Sequence, residues 1–243
     1  MYTLLSLTKK NSALKALLDN VNTWRHVRLE RSADDDGWGS CVDANGEAVV
    51  TCSRTDHPQA CLAHELLHFD LQMKGYRRVL CGRPRWQSDA IPMRLIAALD
   101  NEVQHHKMFP NFRALGFPAQ QFYNDDDKST LSLLEQVFSD FLPKAEDIVV
   151  DFLTVIAPGG SFPRKMRESF KNRMYDAWDG QFRSMFKKVE AIIFDWASGN
   201  SRDSQQIFTD VLTTIKPDLN MWLGYNDKTS FPSNGFFIGP AFA

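Results

Sequence analysis

The chain of 243 residues lacks several things, and each absence excludes a class. No apolar run approaches the roughly 18 residues that a membrane-spanning helix needs. At the amino terminus, Met1 to Lys10, the basic residues follow a short apolar run instead of preceding a long one, so no signal peptide is read and a cytoplasmic protein is expected. Internal repeats, low-complexity tracts and long Pro/Gly/Ser linkers are absent. Excess charge is absent too: the formal net charge is -2, which argues against general nucleic-acid binding. Cysteine is scarce, with four residues at positions 41, 52, 61 and 81 and no Cys-x-x-Cys pair, so a structural zinc knuckle is not expected. A two-residue Asn45-Gly46 turn would set Cys41 opposite Val50 and not Cys52, so all four read as reduced, mostly buried thiols. What the chain does have is 43% hydrophobic and 12% aromatic residues, enough to fill a packed core.

The sharpest chemical signal is Cys61-Leu62-Ala63-His64-Glu65-Leu66-Leu67-His68-Phe69-Asp70, which contains His-Glu-x-x-His. Residues four apart share one face of a helix, so His64 and His68 present two imidazoles at a spacing suited to one Zn2+. Glu65 is placed to reach a water in an open metal position and to act as general base.

Around it the expected organisation is α+β: a small antiparallel sheet, the motif helix, and a largely helical carboxy-terminal region. A helix is expected over 3–22, with Asn11-Ser12 as a break or cap, and a strand over 24–31. The Asn45-Gly46 turn joins strands 38–42 and 47–52 into a hairpin, giving a three-stranded meander. Thr55 or Asp56 is expected to cap the motif helix, with Pro58 in its first turn and Gly75 at its end. Residues 76–87 read as a loop carrying Arg77, Arg78, Arg83 and Arg85, and 125–127 as an acidic turn. Helices follow over 88–108 (stopped before Pro110), 130–142, 144–156, 163–177, 180–197 and 203–216, and the last 25 residues read as an ordered coil. Two regions are expected, 1–128 holding the metal site and 129–243 packed on it, or one continuous domain.

A hydrolytic zinc site needs a third protein ligand. On the helix over 88–108, Leu95, Leu99, Glu102, His106 and Phe109 recur at alternating four and three, an apolar seam interrupted by a carboxylate and an imidazole. A buried carboxylate is costly unless paired or metal-bound, so Glu102 is the first choice, with His105 and His106 as alternative ligands or oxyanion donors. Tyr76 and Tyr123 are candidate substrate or oxyanion contacts, and Asp70 or Asp100 a candidate orienter of a ligand imidazole.

His64-Glu65-Leu66-Leu67-His68 followed by Asn101-Glu102 on a later helix resembles the gluzincin branch of the zincin metallopeptidases. The resemblance covers roughly residues 24–110. It implies a zincin-like fold, a zinc metalloprotease hydrolysing peptide bonds, Glu102 as third ligand, and substrate pairing with an edge strand, by position Glu47 to Cys52 or a neighbour. Two features depart from known branches. The thermolysin-like Asp four residues after the ligand Glu is His106 here, and the metzincin extension is missing after His68. Two other readings stand beside the peptidase. One is a non-catalytic regulatory or binding protein on the same scaffold. The other is a protease acting on nucleic-acid-bound proteins, suggested by Arg164, Lys165, Arg167, Lys171, Arg173, Arg183, Lys187 and Lys188, a run diluted by acidic residues.

Overall fold

A computed structural model describes residues 2–32, 37–84, 91–123, 135–136, 138, 142–160, 162–219, 221–225 and 237–241. A turn expected at Ala33-Asp34-Asp35-Asp36-Gly37 lies outside them except for Gly37, as do the acidic turn over 125–127, Arg85 and most of the helix expected over 130–142. The architecture is mixed α+β, with eight α-helices and two three-stranded sheets among the described residues. Two compact units interleave along the chain. One comprises Met1–Lys74, Met108–Lys128 and Gly159–Phe162; the other comprises Gly75–Lys107, Ser129–Pro158 and Pro163–Ala243.

In the first unit the amino-terminal helix is two helices, α1 (Leu4–Thr8) and α2 (Ser12–Trp24). Asn11 makes the break: its side-chain oxygen accepts from the Leu14 amide at 2.9 Å, capping α2. Leu14, Leu18 and Val21 form the buried stripe of α2.

Strands β1 (Val27–Arg31), β2 (Gly39–Val42) and β3 (Ala48–Cys52) pair in the order β1-β3-β2, with β1 parallel to β3 and β2 antiparallel to it. The sheet is therefore mixed and not an antiparallel meander. Ala48, Val49 and Val50 are all buried, a run suited to the middle of a sheet covered on both faces, and β3 takes that place. This also corrects the expected substrate edge: Glu47 to Cys52 is flanked on both sides, and the edges are β1 and β2.

The hairpin turn is one residue longer than Asn45-Gly46 alone implies. Cys41 faces Val49, the Gly46 amide donates to the Asp43 carbonyl at 3.0 Å, and Gly46 takes a φ of +83°. Asp43 Oδ1 collects the amides of Asn45 and Glu47, both at 2.9 Å, which favours the three-residue loop. Cys41 is an exposed thiol, whereas Cys52 and Cys61 are buried thiols.

Helix α3 (Pro58–Met73) carries the His-Glu-x-x-His motif. Its cap residue is His57, not Thr55 or Asp56, because the Thr55 hydroxyl accepts the His57 amide at 3.2 Å just before the helix starts. Pro58 opens the helix and Gly75, at φ +100°, follows its end. The helix is buried on nearly every side, as one that is apolar around most of its circumference must be. Leu62, Leu66, Leu67 and Phe69 share a core with Leu14, Val21, Val27 and Val50.

Helix α4 (Met93–Ala114) runs straight through Pro110. Proline removes an amide and should end the helix before it, but Met108 and Phe112 are fully engaged in the α3 core, and that packing outweighs the local preference.

The second unit holds the earlier part of α4 and an antiparallel sheet of β4 (Val79–Pro84), β5 (Met221–Tyr225) and β6 (Phe237–Ala241), in that order. Two expectations are corrected: residues expected in a loop form β4, and the expected coil tail contains β5 and β6. Both are pairings between distant segments that short-range patterning does not show. Asp100 of α4 ties down the start of β4 by accepting from the Val79 amide at 2.9 Å and the Tyr76 hydroxyl at 2.8 Å. Helices α5 (Ala145–Ile156), α6 (Arg164–Asp176), α7 (Arg183–Ser198) and α8 (Ser204–Ile215) follow the apolar periodicity closely. Phe152 and Phe186 stack at 4.4 Å between α5 and α7.

Candidate metal centre

The spacing of His64 and His68 is realised on α3, one turn apart. Their Nε2 atoms lie 3.3 Å from each other and the rings meet edge-on, with centroids 5.1 Å apart. Two Zn–N bonds of about 2.0–2.1 Å at a tetrahedral angle put their nitrogens ~3.3–3.4 Å apart, so the pair already has the bite of a chelate. His64 is half-buried and His68 and Glu65 are buried. The Phe122 ring packs against the His64 ring at 4.7 Å and the Tyr123 ring lies at 6.3 Å. Phe122 is fully buried among Phe109, Phe112 and Tyr123, so the wall beside His64 is rigid. Sequence reasoning singled out Tyr123 and missed Phe122; an aromatic that serves as core elsewhere carries no signal that it also abuts a ligand.

Helix α4 places Glu102, His105 and His106 in buried positions. His105 Nδ1 is 3.2 Å from Glu102 Oε1, one helical turn away, and the Asn101 amide stands 3.5 Å from the same nitrogen. His106 packs against the Phe194 ring at 5.5 Å, and burial pushes its imidazole down to about 4, so it is neutral at ordinary pH. The seam reading was sound about burial. The neighbouring His105 imidazole is one partner of the Glu102 carboxylate.

His64, His68 and His105 each offer a ring nitrogen, and these atoms all lie within 4.8 Å of one another. The three could bind a metal ion, and imidazole donors suit Zn, Cu, Ni or Fe. Glu102 and His106, the other two candidates for the third position, are not in this cluster. Further along α4, Met108 and Phe112 belong to the core that also holds Leu66 and Leu67 of α3.

The remaining candidates have other partners. Asp70 pairs with Lys74 at 2.6 Å and meets Asn20 at 3.5 Å. Asp100 is held by Tyr76, Val79, Gln104 and Arg78, although its burial pushes the carboxyl above the usual range. Among the described residues neither is seen to bond a histidine, and Tyr76 is buried with its hydroxyl donating to Asp100. In the cationic stretch, Lys171 pairs with Glu168 and Glu190, Arg173 with Glu135 and Arg183 with Asp176.

No helix among the described residues is long and apolar enough to cross a membrane. Comparison of the chain with protein-family models, with curated proteins and with solved structures finds no match.

Proposed function

We propose that the chain is a zinc-dependent hydrolase of peptide bonds, with His64, His68 and His105 holding the metal and Glu65 as general base. The observation that carries this reading is the clustering of three imidazole nitrogens, two from α3 and one from α4, within 4.8 Å of one another, with the buried Glu65 next to His64 in the chain. Bound there, zinc would bring a water close to neutrality in pKa and polarise a carbonyl. The chain's own residues do the rest. Glu65 accepts the water's proton on its carboxylate and hands it to the leaving amine. Phe122 holds the His64 ring by packing. Tyr123, whose ring centroid lies 6.3 Å from that of His64, is the candidate donor to an oxyanion. An extended substrate would pair with one of the two sheet edges, β1 or β2.

The choice of peptide as substrate rests on the His-Glu-x-x-His motif and the sheet that precedes it, which together support a zincin-like arrangement. A third histidine in place of a glutamate would set this chain apart from the gluzincin pattern. The ion pairs of Lys171, Arg173 and Arg183 weaken a role at nucleic acid, since paired cations contribute less to phosphate binding.

The test is the zinc-loaded Glu65→Gln protein on an unstructured protein substrate. Metal should be retained while hydrolysis falls by about 10²–10⁴. Undiminished hydrolysis would overturn the assignment of Glu65, and a wild type that holds zinc yet cleaves no peptide would favour the non-catalytic reading.

A further inference from the structure

We infer that Glu102 is not a metal ligand but the residue that orients one: its carboxylate accepts the Nδ1 hydrogen of His105 and so presents Nε2 to the metal. The inference rests on the three-histidine reading and assigns a role within it that the gluzincin resemblance does not supply.

Three observations lead there. Glu102 is buried, so its carboxylate needs a donor, and His105 Nδ1 stands 3.2 Å from Oε1. An imidazole whose Nδ1 hydrogen is taken by a carboxylate carries its lone pair on Nε2, on the other side of the ring. The cluster with His64 and His68 takes one ring nitrogen from His105, and with Nδ1 turned to the carboxylate the nitrogen left to serve it is Nε2. The Asn101 amide nitrogen, a donor that would favour the opposite tautomer, stands 3.5 Å from the same Nδ1, at the limit of a hydrogen bond, whereas the charged carboxylate is nearer and so sets the tautomer. The other acidic residues considered for this task, Asp70 and Asp100, are committed to Lys74 and to the start of β4. A carboxylate behind a ligand imidazole fixes ring orientation and raises the basicity of the ligand, and its loss typically costs 10–100-fold in metal affinity.

The arrangement makes Glu102 a positioning residue, and its test begins without metal. In the metal-free protein, two-bond 15N–1H correlation spectra should show His105 as the Nδ1–H tautomer, and Glu102→Ala should shift it toward a mixture. Glu102→Gln keeps an acceptor oxygen and should preserve much of the wild-type signature. Zinc competition should then give an affinity loss of about 10–100-fold for Glu102→Ala and a smaller one for Glu102→Gln. X-ray absorption on the zinc-loaded proteins should count three histidines in wild type and in both Glu102 variants, and two in His105→Ala. A wild-type His105 in the Nε2–H tautomer would overturn the inference. So would a zinc site with two histidines and one carboxylate that disappears in Glu102→Ala; that result would leave a zinc hydrolase standing. A protein that binds no zinc would fail the proposed function, while the metal-free spectra would still decide whether Glu102 sets the tautomer of His105.

Discussion

His64 Nε2 and His68 Nε2 lie 3.3 Å apart on successive turns of α3, the separation that two nitrogens adopt on one tetrahedral zinc. Two ring nitrogens at this distance gain little from each other in the absence of a shared proton or cation. The pair therefore predicts linkage between metal and stability. Zinc at about 1,000 times its dissociation constant should raise unfolding free energy by ~4 kcal/mol, and a chelator should remove that gain. Thermal melts with and without zinc check this, with His64→Ala expected to show almost no zinc-dependent shift.

Gly159 predicts a strong local effect. At φ +76°, an added Cβ would stand 2.7 Å from Phe109 Cε2, 2.9 Å from Phe122 Cβ and 3.0 Å from the Ala119 carbonyl. The next residue closes the segment, the Gly160 amide donating to that same carbonyl at 2.8 Å. Gly159→Ala should cost roughly 2–3 kcal/mol through overpacking and backbone strain. Because Phe122 abuts His64, zinc affinity should fall as well. Urea denaturation reads the first effect and zinc competition the second; a loss under ~0.5 kcal/mol would mean the segment yields easily.

Asp100 gathers the Val79 amide, the Tyr76 hydroxyl and the Gln104 amide at 2.8–2.9 Å, with Arg78 at 3.4 Å. Asp100→Ala would remove the buried acceptor that these groups share and should cost about 3 kcal/mol in urea denaturation. Asp100→Asn keeps one acceptor oxygen and should cost less. Equal stability of Asp100→Ala and wild type would show that the start of β4 is held by other contacts.

Local chemistry made much of this molecule legible. The i,i+4 histidines, the cap at Asn11, the glycine after α3 and the amphipathic stripes of α5 to α8 all depend on residues within a turn or two of each other. The misses depend on partners far away in sequence. β3 sits in the centre because Ala48, Val49 and Val50 need cover on both faces, so β1 joins it in parallel across the hairpin's open side. α4 continues through Pro110 because Met108 and Phe112 are buried in the core that α2, β3 and α3 also build. For the third ligand, the seam pattern located the buried turn of α4 but could not rank neighbours within it. Glu102 and His105 are three residues apart and both buried, so a periodicity that marks the turn as buried does not say which of the two side chains offers the ligand atom.

Metal content of the purified wild type beside His105→Ala and Glu102→Ala tests the central claim most directly. The account predicts about one zinc per wild-type chain, near-complete loss after dialysis for His105→Ala, and retention with weakened affinity for Glu102→Ala. A folded wild type that holds no metal after exposure to zinc, or a His105→Ala protein that holds it as tightly as wild type, would contradict the three-histidine centre.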